Sequence, residues 1–133
     1  MKKVKILFYV LIIYFILVLA QIFIPAIQEM YTGSLLFLVP IFSFSVIGFI
    51  LVYMVKKYKI QGKIKKYLYL VGYSSGFISV GVVVHNLLSG LGILLLKKDF
   101  EEPLFFILAT LVLPVVFIIA SIKTILLFKN DNT

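Results

Sequence analysis

Apolar residues in this chain come in four long blocks separated by short polar breaks, and they run continuously within each block. The blocks cover residues 6–27, 34–55, 67–96 and 103–128, each near or above the roughly 20 residues that a helix needs to cross a hydrocarbon layer. Barrel strands would alternate apolar and polar positions instead, so the pattern predicts an all-α chain. Pro25 falls near the end of the first block. Pro40 falls in the first turns of the second, where the early amides have no helical partner to lose. The third block is longer than a perpendicular helix requires, and Ser89-Gly90-Leu91-Gly92 is where it is expected to break or kink, since glycine weakens a helix by about 1 kcal/mol relative to alanine. In the fourth, Pro114 removes a backbone hydrogen bond and is expected to kink the helix near Thr110.

Composition strengthens this reading. Hydrophobic residues make up 63% of the chain and charged residues 14%, far from the balance of a water-soluble domain. The expected architecture is a polytopic integral membrane protein of four transmembrane helices, arranged as two hairpins in a compact bundle.

Charge then sets the orientation. The formal net charge is +8, and in a soluble protein this would suggest nucleic acid, but here the lysines fall in short loops where they act as topology signals. Lys2, Lys3, Lys5, Lys56, Lys57, Lys59, Lys63, Lys65, Lys66, Lys123 and Lys129 share one side if there are four spans, and Lys97 and Lys98 take the other with Glu29, Asp99, Glu101 and Glu102. Both termini and a basic loop at 56–66 are therefore expected in the cytoplasm. The absence of arginine, with plentiful Ile, Phe and Tyr, points to an AT-rich bacterial genome and hence a bacterial plasma membrane. A competing expectation is a signal peptide cut after Val18-Leu19-Ala20, but the apolar continuation Ile22-Phe23-Ile24 is unlike a mature start and favours a retained helix.

Few polar residues remain to support chemistry. Gly72, Gly76, Ser79, Val83, Asn86 and Gly90 share one helical face, and its small residues let a second helix approach closely, within one protomer or between two. Thr110, Pro114, Phe117, Ser121 and Thr124 form a comparable stripe in the fourth block. His85 lies about 27 Å past Tyr67 along a straight helix, near the outer edge of the hydrocarbon layer. With Asn86 beside it, and Glu101 and Glu102 across the next turn, it forms a candidate polar site. Asp99 and Glu102 match a capping box ahead of Pro103. The lysines of 56–66, interleaved with Tyr58, Ile60 and Ile64, form a solvated connector that fixes topology and suits anionic lipid headgroups.

Cysteine is absent, which excludes disulfides and thiolate chemistry. A single histidine cannot build a tetrahedral metal site, so no metal or cofactor is expected. There is no G-x-S-x-G, no H-E-x-x-H and no phosphate loop, and no carboxylate lies deep in any block to couple proton flow. The expectation is a non-enzymatic membrane protein acting through helix contacts, as an accessory subunit, an immunity-type protector or an assembly factor. Its expected partners are the bilayer and either a second copy or another membrane protein. The alternative is an oligomeric pore or transporter lined by Ser75, Ser79, His85, Asn86 and Thr110; a membrane enzyme resting on His85 with Glu101 and Glu102 ranks third.

Overall fold

A computed structural model of the chain describes residues 1–31, 36, 38–97 and 102–130. Its elements are α1 (Lys2–Phe23), α2 (Pro25–Tyr31), α3 (Leu38–Lys57), α4 (Gly62–Leu96), α5 (Pro103–Ile107), a π-helical turn (Leu108–Val112) and α6 (Leu113–Asn130). Four stretches, Lys2–Phe23, Leu38–Lys57, Gly62–Leu96 and Pro103–Asn130, are long and apolar enough to cross a membrane.

Proline sets two of the interruptions. Pro25 bars its predecessor from helical geometry, and Ile24 is extended at φ −97 and ψ 110, so the first apolar block divides into α1 and the short α2. Its polar groups are still met: the Ile24 amide donates to the Ala20 carbonyl, and the Gln28 side-chain amide donates to the carbonyl of Ile22. At Pro114, where a kink is expected, the helix carries a π-helical turn. The proline ring crowds the carbonyl of Thr110 and offers no N–H, and the preceding turn widens so that the Leu113 amide donates to the Leu108 carbonyl. The fourth block stays helical throughout.

The expected break at residues 89–92 is absent, since α4 continues for 35 residues. Isolated glycines lower helix propensity by about 1 kcal/mol each, which an uninterrupted apolar helix absorbs. The 56–66 connector is also shorter than expected. Helix α3 reaches Lys57 and α4 starts at Gly62, so the turn is confined to 58–61. Lys59 there adopts φ 49, the Lys59 amide donates to the Lys56 carbonyl and the Ile60 amide to that of Val55, which together close the helix end in a Schellman turn. Ile60 and Ile64 are buried in the core, so that stretch is a packed corner and not a loosely solvated loop.

Helix α4 packs on α3 and on α6, and α1 packs on α3. Contact pairs give the directions. Phe8 meets the Phe128 ring at 5.6 Å and Phe15 meets Phe117 at 4.6 Å, so α1 and α6 run antiparallel. Phe15, Phe44 and Phe117 form a buried aromatic triple where α1, α3 and α6 meet, with Phe44 and Phe117 edge to face at 5.2 Å. Each such pair contributes about 0.5–1.5 kcal/mol beyond its buried area.

The closest helix contact lies between α3 and α4. A methyl group added at Gly48 would sit 2.0 Å from Ser75 Oγ and 2.7 Å from the Gly72 carbonyl oxygen, and one at Gly72 would meet the Gly48 carbonyl oxygen at 2.8 Å. Gly76 receives the Phe49 ring and Gly81 receives Ala109 of the π-helical turn. Gly72, Gly76 and Ser79 thus form a seam within one protomer. Gly90 does not belong to it, because a methyl group there would meet nothing within 4 Å. Among the described residues α3 does not reach it, because α4, about 52 Å long at about 1.5 Å per residue, outruns α3 at about 30 Å.

Gly48→Ala is therefore expected to destabilise the purified protein by about 1–3 kcal/mol through overpacking against backbone, whereas Gly90→Ala is neutral or stabilising by up to about 1 kcal/mol. Thermal unfolding in detergent, followed by circular dichroism, separates them. Equal effects would mean that the seam does not lie where α3 crosses α4.

Candidate functional site

Two polar clusters stand out among the described residues, one inside the α3–α4 seam and one where α4 meets the start of α5. In the seam, Ser45 Oγ donates to the Ser75 carbonyl at 2.8 Å and lies 2.6 Å from Ser79 Oγ, and Ser79 Oγ in turn donates to the Ile41 carbonyl at 3.1 Å. Ser75 bonds back to the carbonyls of Val71 and Gly72, and Ser74 to that of Val71. These hydroxyls are buried, and each finds its acceptor within the α3–α4 contact or on its own helix. Apolar surroundings make an unmet hydroxyl costly, so such a network fixes the rotation of one helix against the other.

The second cluster gathers His85, Ser89 and Glu102. His85 Nδ1 faces the Glu102 carbonyl oxygen at 2.5 Å and Glu102 Oε2 at 3.7 Å. Both are acceptors, so Nδ1 is the ring nitrogen that donates toward them. The Glu102 carboxylate caps α5: Leu104 N–H donates to Oε1 at 2.7 Å and Phe105 N–H donates to Oε2 at 3.0 Å. The Glu102 amide donates to Ser89 Oγ at 3.1 Å. The Phe106 ring covers the imidazole at a centroid distance of 5.2 Å. Side-chain exposures of 21% for His85 and 13% for Glu102 place the pair at a sheltered edge, neither in the core nor open.

The expected pairing of His85 with Glu102 is present, but the close bond runs to the backbone carbonyl and the carboxylate is engaged by helix amides. Glu102 is itself the N-cap residue of α5, in place of the capping box led by Asp99. A carboxylate adjoining Pro103 reaches the free amides of the first turn directly. Asp99 and Glu101 lie outside the described residues. Asn86 is not part of the cluster; its side-chain amide donates to the Val82 carbonyl one turn back, at 2.8 Å. Thr110 likewise bonds back to the Phe106 carbonyl at 2.7 Å. In the fourth-block stripe Thr124 donates to the Ala120 carbonyl at 2.8 Å, while the buried Ser121 hydroxyl has no partner among the described residues.

Ser45 and Gly48 on α3, Ser89 and Phe106 were not singled out from the sequence. Ser45 and Gly48 stand three apart in a mostly large-residue block, a small-residue pair on one helix face that could point to the partner of the α4 seam. Ser89 falls in the stretch where the sequence predicts a break. Lys56, Lys57, Lys59, Lys63, Lys65 and Lys66 are all exposed and surround the 58–61 turn. Lys5 Nζ lies over the Phe128 ring at 4.7 Å, which brings the N-terminal lysines and Lys129 to the same end as that turn.

Among the described residues no group of three or more His, Cys, Asp or Glu side chains could hold a metal ion. No protein-family model, curated protein or solved structure matches the chain.

Because His85 bonds a backbone carbonyl, its coupling to the Glu102 side chain is expected to be weak. Glu102→Ala should cost about 1 kcal/mol through loss of the helix cap, while His85→Ala and Glu102→Gln should combine additively within about 0.5 kcal/mol. Denaturation of the two single variants and the double variant measures this, and a coupling above about 1.5 kcal/mol would make the ion pair the principal tie.

Proposed function

We propose that the chain is a multi-pass protein of a bacterial plasma membrane, folded as two helical hairpins with both termini and the 58–61 turn in the cytoplasm, and that it acts without catalysis through helix contacts with another membrane protein. The observation that supports this best is the division of polar and apolar groups. The seam hydroxyls are engaged within the fold, while large apolar side chains cover the outside, including Leu94 at 75% and Leu95 at 79% exposure on the part of α4 that outruns α3. In a bilayer such a surface meets lipid or another apolar helix, and neither carries a solvation penalty.

The orientation rests on the lysine end. Every described lysine except Lys97 stands on the side of the N-terminus, the 58–61 turn and the end of α6, and translocation retains such segments in the cytoplasm. The pore reading has less support, because the hydroxyls of Ser75, Ser79 and Thr110 that would line a path are bonded to backbone carbonyls.

Single cysteines introduced into this cysteine-free chain test the orientation. An impermeant thiol reagent applied to intact cells should label Met30→Cys, whose native side chain is 78% exposed, and should leave Lys59→Cys unlabelled until the cells are opened. The reverse pattern would invert the topology. For the partner, a photo-crosslinking amino acid at Leu95 should give a discrete higher-mass protein adduct, and one at Ile13 should not; lipid adducts alone at both positions would leave helix contact with a protein partner refuted.

A further inference from the structure

Two stripes of aromatic side chains, each starting from a lysine, converge on the outer side of the α3–α4 contact. On α4 the residues Lys65, Tyr69, Tyr73 and Phe77 recur every fourth position and so lie one above another. Lys65 Nζ stands 5.8 Å from the Tyr69 centroid, Tyr69 is 5.9 Å from Tyr73, and Tyr73 stacks on Phe77 at 6.1 Å and 23°. On α3 the matching series is Phe49, Tyr53 and Lys57, with Lys57 Nζ 5.8 Å over the Tyr53 ring. The two stripes meet where Phe49 and Phe77 pack edge to face at 5.6 Å. At the lysine end of the α4 stripe lies a shallow, open depression of about 410 Å³ lined by Gly62, Lys65, Lys66, Tyr69, Leu70 and Tyr73.

The geometry points to a binding groove for one anionic phospholipid of the cytoplasmic leaflet, with its phosphate held by Lys65 and Lys66, Lys57 at the end of the α3 stripe adding positive charge, and an acyl chain laid along Tyr69, Tyr73 and Phe77. Charge complementarity selects the occupant. Among the described residues the carboxylates are Glu29 on α2 and Glu102 before α5, both at the opposite end, so nothing described at this end neutralises the lysines. A second copy of the chain would bring the same lysines into contact and repel. An anionic headgroup instead supplies the missing charge, and lysines near an anionic leaflet each strengthen attachment about fivefold. The apolar part fits as well. From Tyr69 to Phe77 the stripe rises about 12 Å, most of the depth of one leaflet, and it begins with tyrosines, whose hydroxyl ends suit the headgroup level. Tyr73 and Phe77 are 45% and 46% exposed, so the described helices leave a large part of each ring open.

The groove rests on the proposed insertion of this end in the cytoplasmic leaflet, and the two readings fail separately. The full-length protein, purified in a non-ionic detergent, would be mixed with equal amounts of phosphatidylglycerol and phosphatidylcholine and its bound lipid counted by native mass spectrometry. One phosphatidylglycerol should be retained in preference to phosphatidylcholine, with a preference that falls about tenfold or more in Lys57→Gln/Lys65→Gln/Lys66→Gln. The charge-matched control Lys2→Gln/Lys3→Gln/Lys129→Gln should keep it, and Tyr69→Leu/Tyr73→Leu should lose most of it. All substituted lysines are exposed, and circular dichroism verifies that each variant remains helical. Equal retention of the two lipids, an equal loss in the control triple, or an unchanged preference in the tyrosine variant would each overturn the groove. Release of the wild-type protein from membranes by alkaline carbonate would overturn the membrane reading itself, and the groove with it.

Discussion

Where α3 crosses α4, Gly48 lies against the backbone of Gly72 and the hydroxyl of Ser75 with no space for a side chain on either glycine. That approach places Ser45 within reach of Ser75 and Ser79 and brings Val52 against Gly72. With α3 fixed on one side of α4, the aromatic triple of Phe15, Phe44 and Phe117 can form across α1, α3 and α6. Dispersion at close range and buried hydroxyl bonds would supply this specificity in a lipid setting, where burial of apolar surface between helices gains little over contact with lipid.

The same contact accounts for what is left open. Helix α3 begins at Leu38, and among the described residues no part of it reaches the turns of α4 around Gly90, where a methyl group would have open space and where Leu94 and Leu95 are exposed. His85 and Ser89 lie in this outer part, and their partner is the entry to α5. The bond from His85 to the Glu102 carbonyl, the bond from the Glu102 amide to Ser89 and the capping of α5 by the Glu102 carboxylate tie the outrunning helix to the next one.

The four apolar stretches were legible in the sequence because continuous hydrophobic runs need no tertiary information. So was the small-residue face of Gly72, Gly76 and Ser79, whose spacing is local. Its partner was not, since Ser45 and Gly48 gain their meaning only once the register of α3 against α4 is set. The extent of the face was misjudged for a similar reason: Gly90 continues the period, but periodicity does not say where the neighbouring helix starts. Local propensity misled at residues 89–92, where glycine's modest cost did not break the helix, and at Pro114 it did not reveal the π-helical turn that takes up the lost hydrogen bond. At 56–66 the lysines concealed the buried Ile60 and Ile64. The approach of His85 to Glu102 could be read from depth and connection length, but the choice of the backbone carbonyl over the carboxylate depends on which groups the first turn of α5 had already engaged.

The direct test of the α3–α4 contact as the organising interaction is oxidative crosslinking of Ser45→Cys/Ser79→Cys in the otherwise cysteine-free chain, since the native hydroxyls stand 2.6 Å apart. Mild oxidation in native membranes should give a monomer of unchanged mass whose two thiols are lost to alkylation and recovered on reduction. A crosslinked species of twice the monomer mass, with free thiols remaining in the monomer, would place the seam between chains and contradict the fold described.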